Sequence, residues 1–290
     1  MDDAPVSDVL TRLGLDGRSP SRFATGSLPV YAVGDDLVLK LYPDADRDEA
    51  RTETVALRAV HGRLSIPTPC VEDAGSVGDW HYVLMRRLPG RGLDEVWPTL
   101  PAPERADLAE RLGAGLAELH AVTGAAVDEL GPRDWSEFLT QQRAAVVAGQ
   151  RGLGLHPAWL ARIPDYLDSV DLGTPTPVLL HTELLAEHVL VRHDGRRWTV
   201  TGLIDFEPAM RGAAEYDFAA VTVSLTRGDP ALWRRFLRGY GIGAHPGAEF
   251  ARRCLAYTVL HRYSNLRAYL EALPAPERPT LDALAHAWFG

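Results

Sequence analysis

The hydrophobic pattern of the chain changes at Pro89 and Gly90, and no other feature limits its possible folds as strongly. Before this point, PVYAV and DLVLKLY are β-rich runs separated by the turn GDD, a pattern that predicts a β-hairpin. After it, ERADLAERLGAGLAELHAV, residues 104–122, places leucines at helical spacing, and most of the remaining chain alternates such helices with loops. The sequence therefore predicts an α+β protein with a small β-rich N-terminal part and a larger, mainly helical C-terminal part.

Three further segments refine this organisation. Residues 48–61 are predicted to form a helix within the β-rich part, and HYVLMRRLPG a buried strand stopped by its final Pro and Gly. We therefore predict an N-lobe at residues 1–85, a hinge at 86–90 and a C-lobe at 91–290. Within the C-lobe, short apolar strands in VLLHTELLAEHVLV and WTVTGLIDF are predicted to flank a polar loop as a small strand pair.

Composition argues against several classes of protein. The 290 residues, with 46% hydrophobic and 24% charged content, are typical of a globular chain long enough for two lobes. A net charge of −9 argues against nucleic-acid binding and favours a small cationic substrate. No apolar run approaches the roughly 20 residues that span a bilayer, and MDDAPVSDVL lacks the basic start of a signal peptide. We expect a cytoplasmic monomer without membrane contact.

Only two cysteines, Cys70 and Cys254, are present, and they lie far apart in the sequence. This spacing argues against a disulfide framework and against a cysteine-based zinc site. Both are therefore expected to be plain core thiols.

The segment HTELLAEHVLV, beginning at His181, carries the most specific chemical pattern. In kinase catalytic loops, an Asp two residues after the His accepts the proton of the substrate hydroxyl, and an Asn five residues further on helps to hold magnesium. Here Glu183 and His188 occupy these positions. Asp205 then ends the apolar run in GLIDF, where a strand would deliver it to a cleft as a magnesium ligand.

Two residues of the N-terminal part complete a set for phosphoryl transfer. Lys40 lies in an apolar strand, where it can hold nucleotide phosphates, in a chain that otherwise uses Arg. Glu53, in the next helix, is placed to pair with it. Taken alone, the two could be an edge-strand lysine and an acid on a solvated helix face. The order lysine, glutamate, histidine-acid loop and aspartate in a β-then-α chain is difficult to obtain by chance.

Together these segments resemble the aminoglycoside phosphotransferase family, which has a protein-kinase-like, two-lobed fold. The similar stretches cover nearly the whole chain: TGSLPVYAVGDDLVLKLYP, ETVALRAV, YVLMRRLPGRGL, LGAGLAELHAV, the loop at 181–191 and TGLIDFEPAMRGAAEYDFAAV. FLTQQRAAVVAGQRGLG and SLTRGDPALWRRFLRGYG resemble the hygromycin B phosphotransferases in particular. The resemblance implies that ATP, or else GTP, phosphorylates a hydroxyl of an aminoglycoside or related cationic antibiotic, with Mg²⁺ as cofactor.

The resemblance also implies a nucleotide site. Lys40 would hold the phosphates of ATP, and Glu53 would orient that lysine. Ser27 lies in the short loop expected to cover the phosphates, although this loop lacks the G-x-G-x-x-G of protein kinases. Arg86 and Leu88 would offer backbone groups of the hinge to the adenine.

In the catalytic loop, the resemblance makes Glu183 the catalytic base, Asp205 the principal magnesium ligand and His188 a second metal ligand. The family usually has H-G-D here and Asn at the position of His188. Glu keeps the carboxylate but moves it by one methylene, roughly 1.5 Å, which could cost about 10²-fold in rate unless the substrate moves to match. Magnesium prefers oxygen, so an imidazole would alter metal affinity or choice; alternatively, His188 donates to Glu183 or to a phosphate.

Other interpretations of these residues were weighed. A hydrolytic metal site on His181, Glu183 and His188 would need H-E-x-x-H, or a P-C-x-x-C after the deaminase H-x-E, and the chain has neither. A nucleotide-binding module without transfer, or a kinase of a small hydroxylated metabolite, is a stronger alternative. His181 is interpreted as a packed core histidine, and Asp217 as an acid that braces the catalytic loop.

The substrate is the least constrained part of the prediction. Glu207 and Glu215 lie near the predicted cleft in the sequence and could meet ammonium groups of an antibiotic. A basic peptide antibiotic would fit the same charge. The sequence identifies neither the compound nor the hydroxyl that is phosphorylated.

Overall fold

The computed structural model describes residues 4–243, 245–277 and 279–290. A five-stranded antiparallel sheet occupies the N-terminal part, and helices with two small sheets form the rest. The α+β fold class is thereby confirmed. None of the helices in these described ranges is long and apolar enough to cross a membrane.

The N-terminal sheet contains the strands β1 (Pro20–Arg22), β2 (Val30–Val33), β3 (Leu37–Pro43), β4 (Val71–Val77) and β5 (Trp80–Arg86). Their order is β1-β2-β3-β5-β4, with antiparallel neighbours throughout. The predicted hairpin is confirmed, because Val33 pairs with Leu37 across the GDD turn. Gly34 begins this turn with a φ of +66°, a left-handed conformation that glycine adopts at little cost.

The two faces of β3 pack against different helices. Its leucines at 37, 39 and 41 share an apolar cluster with helix α1 (Val6–Arg12). Because side chains alternate along a strand, Lys40 and Tyr42 point to the opposite face, where α2 (Arg47–Val60) packs. The predicted helix at 48–61 is therefore confirmed to within one residue at each end.

Helix α2 has a buried face on which Glu53 lies among apolar residues. The buried side chains are Ala50, Glu53, Ala56, Leu57 and Val60, spaced three and four residues apart except where two adjoin. Glu53 is 1% exposed, so the ordinary interpretation as a solvated helix residue is excluded. The same amphipathic pattern that attaches α2 to the sheet therefore carries a carboxylate towards Lys40.

Two small sheets frame the polar loop after residue 180. One consists of β6 (Arg91–Gly92), β8 (Val189–His193) and β9 (Trp198–Leu203), and the other of β7 (Val178–Leu180) and β10 (Met210–Gly212). The predicted strand pair is confirmed for β8 and β9. The strand before the loop, β7, pairs instead with β10, which the sequence analysis missed. The loop therefore connects β7 of the two-stranded sheet to β8 of the three-stranded sheet.

The remaining helices follow the sheet and build the C-terminal part. They are α3 (Leu93–Val96), α4 (Ala102–His120), α5 (Ala125–Asp128), α6 (Trp135–Gly152), α7 (Pro157–Leu160), α8 (Ile163–Ser169), α9 (Phe218–Val221), α10 (Pro230–Tyr240), α11 (Ala248–Leu260), α12 (Leu266–Ala272) and α13 (Leu281–Phe289). A π-helical turn, Thr222–Thr226, follows α9. The helix predicted at 104–122 corresponds to α4.

Helices α4 and α10 pack closely because glycines lie at their contact. A Cβ on Gly113 would collide with the carbonyl oxygen of Phe236, and one on Gly239 with the carbonyl oxygen of Glu110. The leucines of α4 are buried in the main core, together with the strands that hold the polar loop. The core around α4 therefore holds in place the strands on both sides of the polar loop.

Candidate active site

Four segments that are distant in the sequence meet in the cleft between the N-terminal sheet and the helical part. They are strand β3, helix α2, the loop at 181–188, and the residues 204–208 that follow β9. Each segment brings at least one ionisable side chain to the same place. The candidate active site is therefore built by tertiary contacts between these four segments.

Lys40 stands at the centre of a cluster of acids. Its ammonium group, 7% exposed, lies 3.4 Å from Glu53 Oε2 and 2.9 Å from Glu207 Oε2, and it also donates to Asp205. Burial opposes the charge, yet the three carboxylates raise the pKa of Lys40 above its usual value. The sequence contains no other lysine, so the predicted pairing with Glu53 involves a unique ammonium group.

The carboxylate of Glu53 is held on both oxygens. The Tyr42 hydroxyl donates to Oε2, and the backbone N–H of Phe206 donates to Oε1 at 3.2 Å. The pKa of the Tyr42 phenol is raised well above its usual range, first by burial and then by the charge of Glu53. Glu53 thereby ties helix α2 to the segment that carries Asp205.

Asp205 occupies an unusual backbone conformation at the end of that segment. Its φ of +73° lies in the left-handed region, which non-glycine residues adopt only where the surroundings enforce it. Burial disfavours its ionisation, but Lys40 holds the pKa of its carboxyl well below the usual range. One oxygen contacts Lys40, and the other lies 3.1 Å from His188 Nε2. The structure thus brings Asp205, Lys40 and His188 together.

Glu207, expected as a substrate contact, pairs with Lys40 at 2.9 Å and also lines the cavity of the cleft. Its side chain is 14% exposed, and burial, followed by a hydrogen bond with Asp205, raises its pKa to about 9. Three carboxyl groups therefore surround one ammonium group, so the acids outnumber the cations. Such an excess of negative charge is an environment that a divalent cation would stabilise.

Glu215, the other expected substrate contact, lies away from this cluster. It pairs with Arg253 of α11 at 3.4 Å and does not line the cavity of the cleft. The structure therefore does not bring Glu215 to the other predicted site residues. Its closeness in sequence to the site does not become closeness in space, because the chain turns into α9 and the core directly after β10.

The loop at 181–188 is braced from below by Asp217. This fully buried carboxylate accepts the backbone N–H groups of His181 at 2.9 Å and of Thr182 at 2.6 Å, and it lies 2.9 Å from His120 Nε2. Thr182 has a φ of +69°, a strained value for a β-branched residue, and His261 Nε2 lies 3.1 Å from its carbonyl oxygen. The predicted role of Asp217 as a brace is confirmed.

His181 is a core residue, as predicted. It is 0% exposed, its Nε2 lies 3.0 Å from the carbonyl oxygen of Ile204, and its ring packs edge-on against Phe206. Burial lowers its pKa to about 4. A neutral, packed imidazole in this position links the catalytic loop to the segment of Asp205 and takes no part in hydrolytic metal chemistry.

Glu183 and His188 face the same point as Asp205. Carboxylate and imidazole atoms of these three residues lie within 4.8 Å of one another. Burial raises the pKa of Glu183, and the neighbouring His188 partly opposes that rise. His188 Nδ1 lies 2.9 Å from the backbone carbonyl oxygen of Glu183, so the contact between the two runs through the main chain.

The predicted contacts of the nucleotide base and phosphates lie at the edges of the cleft. Ser27 is exposed in the bend between β1 and β2. The backbone N–H of Arg86 already donates to Cys70 at 2.9 Å, which leaves its carbonyl as the group to consider. Leu88 is half-buried in the segment that joins β5 to β6, with its side chain near Gly202.

A cavity of about 290 Å³ opens beside Glu207 and contains acids that the sequence analysis did not select. Asp48 and Glu49 line it from α2, and Arg262 lines it from the segment after α11. Burial, followed by repulsion from Asp46, raises the pKa of Glu49. One signal could have identified Glu49: it lies one helical turn before Glu53 and must share its face.

The donor atoms fit a divalent cation. The described residues contain two sets of ligand atoms that lie within 4.8 Å of one another, and Asp205 belongs to both. One set adds Glu183 and His188, and the other adds Glu53 and Glu207. Carboxylate oxygens are the ligands that Mg²⁺ prefers, and neutral imidazole is a common ligand of transition metals.

The chain is similar to known proteins in sequence and in fold. A family model described as "Phosphotransferase enzyme family" matches residues 21–255. Among solved structures, the GDP complex of wild-type aminoglycoside 2'-phosphotransferase-IIIa is 18% identical, with a TM-score of 0.73 and 92% of each chain covered. The streptomycin-ATP ternary complex of APH(2'')-IIa is 15% identical, with a TM-score of 0.65, and covers 100% of this chain and 99% of that one.

Macrolide 2'-phosphotransferase MphH from Brachybacterium faecium is also similar, at 23% identity and a TM-score of 0.63, with 94% of this chain and 99% of that chain covered. At these identities the likenesses establish the fold, and they confirm the predicted two-lobed, kinase-like architecture. The match of the family model extends over most of the 290 residues and includes every segment of the candidate site. The chain therefore belongs to the phosphotransferase enzyme family.

Proposed function

We propose that this enzyme transfers a phosphoryl group from ATP, or from GTP, to a hydroxyl of an aminoglycoside or a related cationic antibiotic. The observation that carries the proposal is the meeting of Lys40, Glu53 and Asp205 beside the carboxylate of Glu183. Phosphoryl transfer depends mainly on positioning and on charge neutralisation, and these four groups supply both.

The nucleotide is proposed to lie between the sheet and the loop. Lys40 would hold its phosphates, because the ion pair with Glu53 keeps the ammonium group in place. The carboxylate of Glu53 is itself fixed by hydrogen bonds from the Tyr42 hydroxyl and the Phe206 N–H. Ser27 would lie over the phosphates from the bend between β1 and β2. The base would reach the joining segment, where the Arg86 carbonyl and the Leu88 N–H are the groups proposed to bind it.

Asp205 and His188 are proposed to hold a divalent ion against the phosphates. When bound, that ion would neutralise charge on the transferred group. The backbone strain at Asp205 supports this role, because left-handed non-glycine residues concentrate at functional sites. Lys40 would then contact the phosphates directly, and Asp205 would act on them only through the ion that it holds.

Glu183 is proposed as the base that orients the acceptor hydroxyl and takes its proton. Burial raises its pKa, which brings a carboxylate closer to the range in which general bases work best at neutral pH. Its carboxylate can accept a proton as the usual Asp of the family does. Asp217 holds the backbone just before Glu183 by accepting hydrogen bonds from the N–H groups of His181 and Thr182.

The acceptor is proposed to enter the cavity beside Glu207. Asp48 and Glu49 offer carboxylates there, and burial, followed by repulsion from Asp46, raises the pKa of Glu49, so a nearby cation would stabilise its ionised form. Ammonium groups of an antibiotic would supply it. Arg262 lines the same cavity and would meet hydroxyl or ring oxygens instead. The narrower resemblance to hygromycin B phosphotransferases stays a prediction.

One experiment tests nucleotide and acceptor separately. Because Lys40 is the only lysine, an acyl-phosphate derivative of ATP should acylate it selectively among side chains, and free ATP should protect it. Turnover is then measured on a panel of aminoglycosides, hygromycin B, macrolides and amino alcohols. We expect ATP protection of Lys40 and turnover with a polycationic acceptor.

The variant Asp205→Asn should abolish turnover in this assay, and Asp229→Asn, an exposed helix cap, is the matched control. Unchanged turnover in Asp205→Asn would exclude Asp205 as a metal ligand and would contradict the proposed phosphoryl transfer at this site. Protection of Lys40 without transfer to any acceptor would favour a nucleotide-binding module, and transfer only to hydroxyl compounds that carry no amino group would overturn the cationic substrate.

A further inference from the structure

The metal position contains a nitrogen donor where relatives usually provide an amide oxygen. His188 stands at the place of the customary Asn, and its imidazole lies with the carboxylates of Glu183 and Asp205 inside one 4.8 Å cluster. Its side chain is 14% exposed, so it is held in the cleft and does not extend into solvent. An imidazole nitrogen at this position therefore distinguishes this chain from relatives with the usual Asn.

The hydrogen bonding of the ring determines which nitrogen is available. His188 Nδ1 lies 2.9 Å from the carbonyl oxygen of Glu183, which can only accept, so Nδ1 carries a proton. In the neutral ring, Nε2 then presents its lone pair to Asp205 Oδ2, 3.1 Å away. A backbone carbonyl that fixes the tautomer from behind is the usual support of a metal-binding histidine.

The separation of the two donor atoms suits an ion between them. His188 Nε2 and Asp205 Oδ2 lie 3.1 Å apart, so a single cation would be within reach of both atoms. Without an ion or a proton, the two lone pairs would repel each other. A simple hydrogen bond from a charged imidazole would give the same distance, and the experiments below separate the two.

We propose that His188 binds the metal through Nε2 and thereby makes the site favour a first-row transition ion such as Mn²⁺ over Mg²⁺. This inference rests on the proposed function, because the ion is held jointly with the nucleotide. The physical reason is that Mg²⁺ prefers oxygen ligands and gives up its water reluctantly, whereas imidazole suits transition metals.

Pulsed electron paramagnetic resonance on the wild-type protein tests the bond directly. The protein is labelled with ¹⁵N-histidine and loaded with Mn²⁺ and a non-hydrolysable ATP analogue at pH 7.5. We expect a coupling between the manganese and a histidine ¹⁵N, lost in His188→Asn and kept in His193→Asn, which alters an exposed histidine on the next strand. Bound nucleotide and manganese without such a coupling would overturn the proposal.

Metal selectivity provides a second readout that does not depend on catalysis. The ratio of the dissociation constants for Mg²⁺ and Mn²⁺ is measured calorimetrically with the analogue bound. We expect His188→Asn to lower this ratio about tenfold relative to wild type, and His193→Asn to leave it unchanged. Nucleotide binding with an unchanged ratio would refute this inference alone. Failure of the wild type to bind nucleotide with either ion would refute the proposed function as well.

Discussion

Replacing Asp217 by Asn should destabilise the fold and slow the reaction together, because one buried carboxylate supports the catalytic loop. Oδ2 meets the backbone N–H of His181 and the ring of His120, both at 2.9 Å, and Oδ1 accepts the N–H of Thr182 at 2.6 Å. The amide of Asn has one oxygen. It can keep the contacts at Oδ2, but its NH₂ group then faces the N–H of Thr182.

The cost follows from these contacts. One charge-assisted hydrogen bond is lost, worth about 1.5–3 kcal/mol, and a buried N–H is left without an acceptor, at about 1–3 kcal/mol. A total of about 2.5–6 kcal/mol corresponds to a fall in Tm of roughly 4–10 °C for a chain of 290 residues, because the unfolding entropy is about 2.1 cal/mol/K per residue. The backbone of Thr182, already at a φ of +69°, would relax, and a displacement of about 1 Å beside Glu183 could cost about 10²-fold in rate.

Urea and thermal unfolding, followed by circular dichroism, measure the first effect, and turnover of the best acceptor measures the second. The matched control is Asp134→Asn, since Asp134 also accepts two backbone N–H groups but is exposed at the start of α6. Asn caps helices nearly as well as Asp, so we expect a change within about 0.5 kcal/mol there. If Asp217→Asn were as stable and as active as Asp134→Asn, the idea of a brace would be refuted.

Two further predictions concern the loop. Glu183→Gln should lower kcat by about 10²–10⁴-fold and leave nucleotide affinity nearly intact, whereas the exposed Glu187→Gln should be silent; full activity of Glu183→Gln would exclude it as the base. Burial lowers the pKa of both His181 and His261 to about 4, so the unfolded chain takes up protons first as the pH falls below about 6.5. The free energy of unfolding should therefore decrease by about 2 kcal/mol per histidine between the pH range above 6.5 and pH 5, as measured by urea unfolding. The same pH dependence in His261→Gln as in the wild type would contradict this prediction.

Much of the fold was predictable because its signals are local. The turn GDD between two β-rich runs specifies a hairpin, and the three- and four-residue spacing of apolar side chains specifies α2 and α4. The choice of Lys40, Glu53 and Asp205 also came from the sequence, as their order along a β-then-α chain is rarely produced by chance. The structure brings both acids to within 3.4 Å of the Lys40 ammonium group.

The pairing of the strands around the loop was less predictable. Short strands such as β7 carry too few residues to specify a partner, so their pairing depends on what the rest of the chain leaves available. Here β10, about thirty residues later, is closer in space than β8, and it pairs with β7. The strained φ at Thr182 and Asp205 follows from the same cause, because it is imposed by contacts with distant residues.

The sequence by itself determined the type of the longer elements and the choice of Lys40, Glu53 and Asp205, since helix and strand periodicities and the loop motif depend on neighbouring residues. Only the tertiary structure decided where the acids point. Glu207 faces Lys40 and Glu215 faces Arg253, whereas Glu49 lines the cavity. The physical reason is that a carboxylate is directed by the charges packed around it, and those charges come from elements far away in the chain.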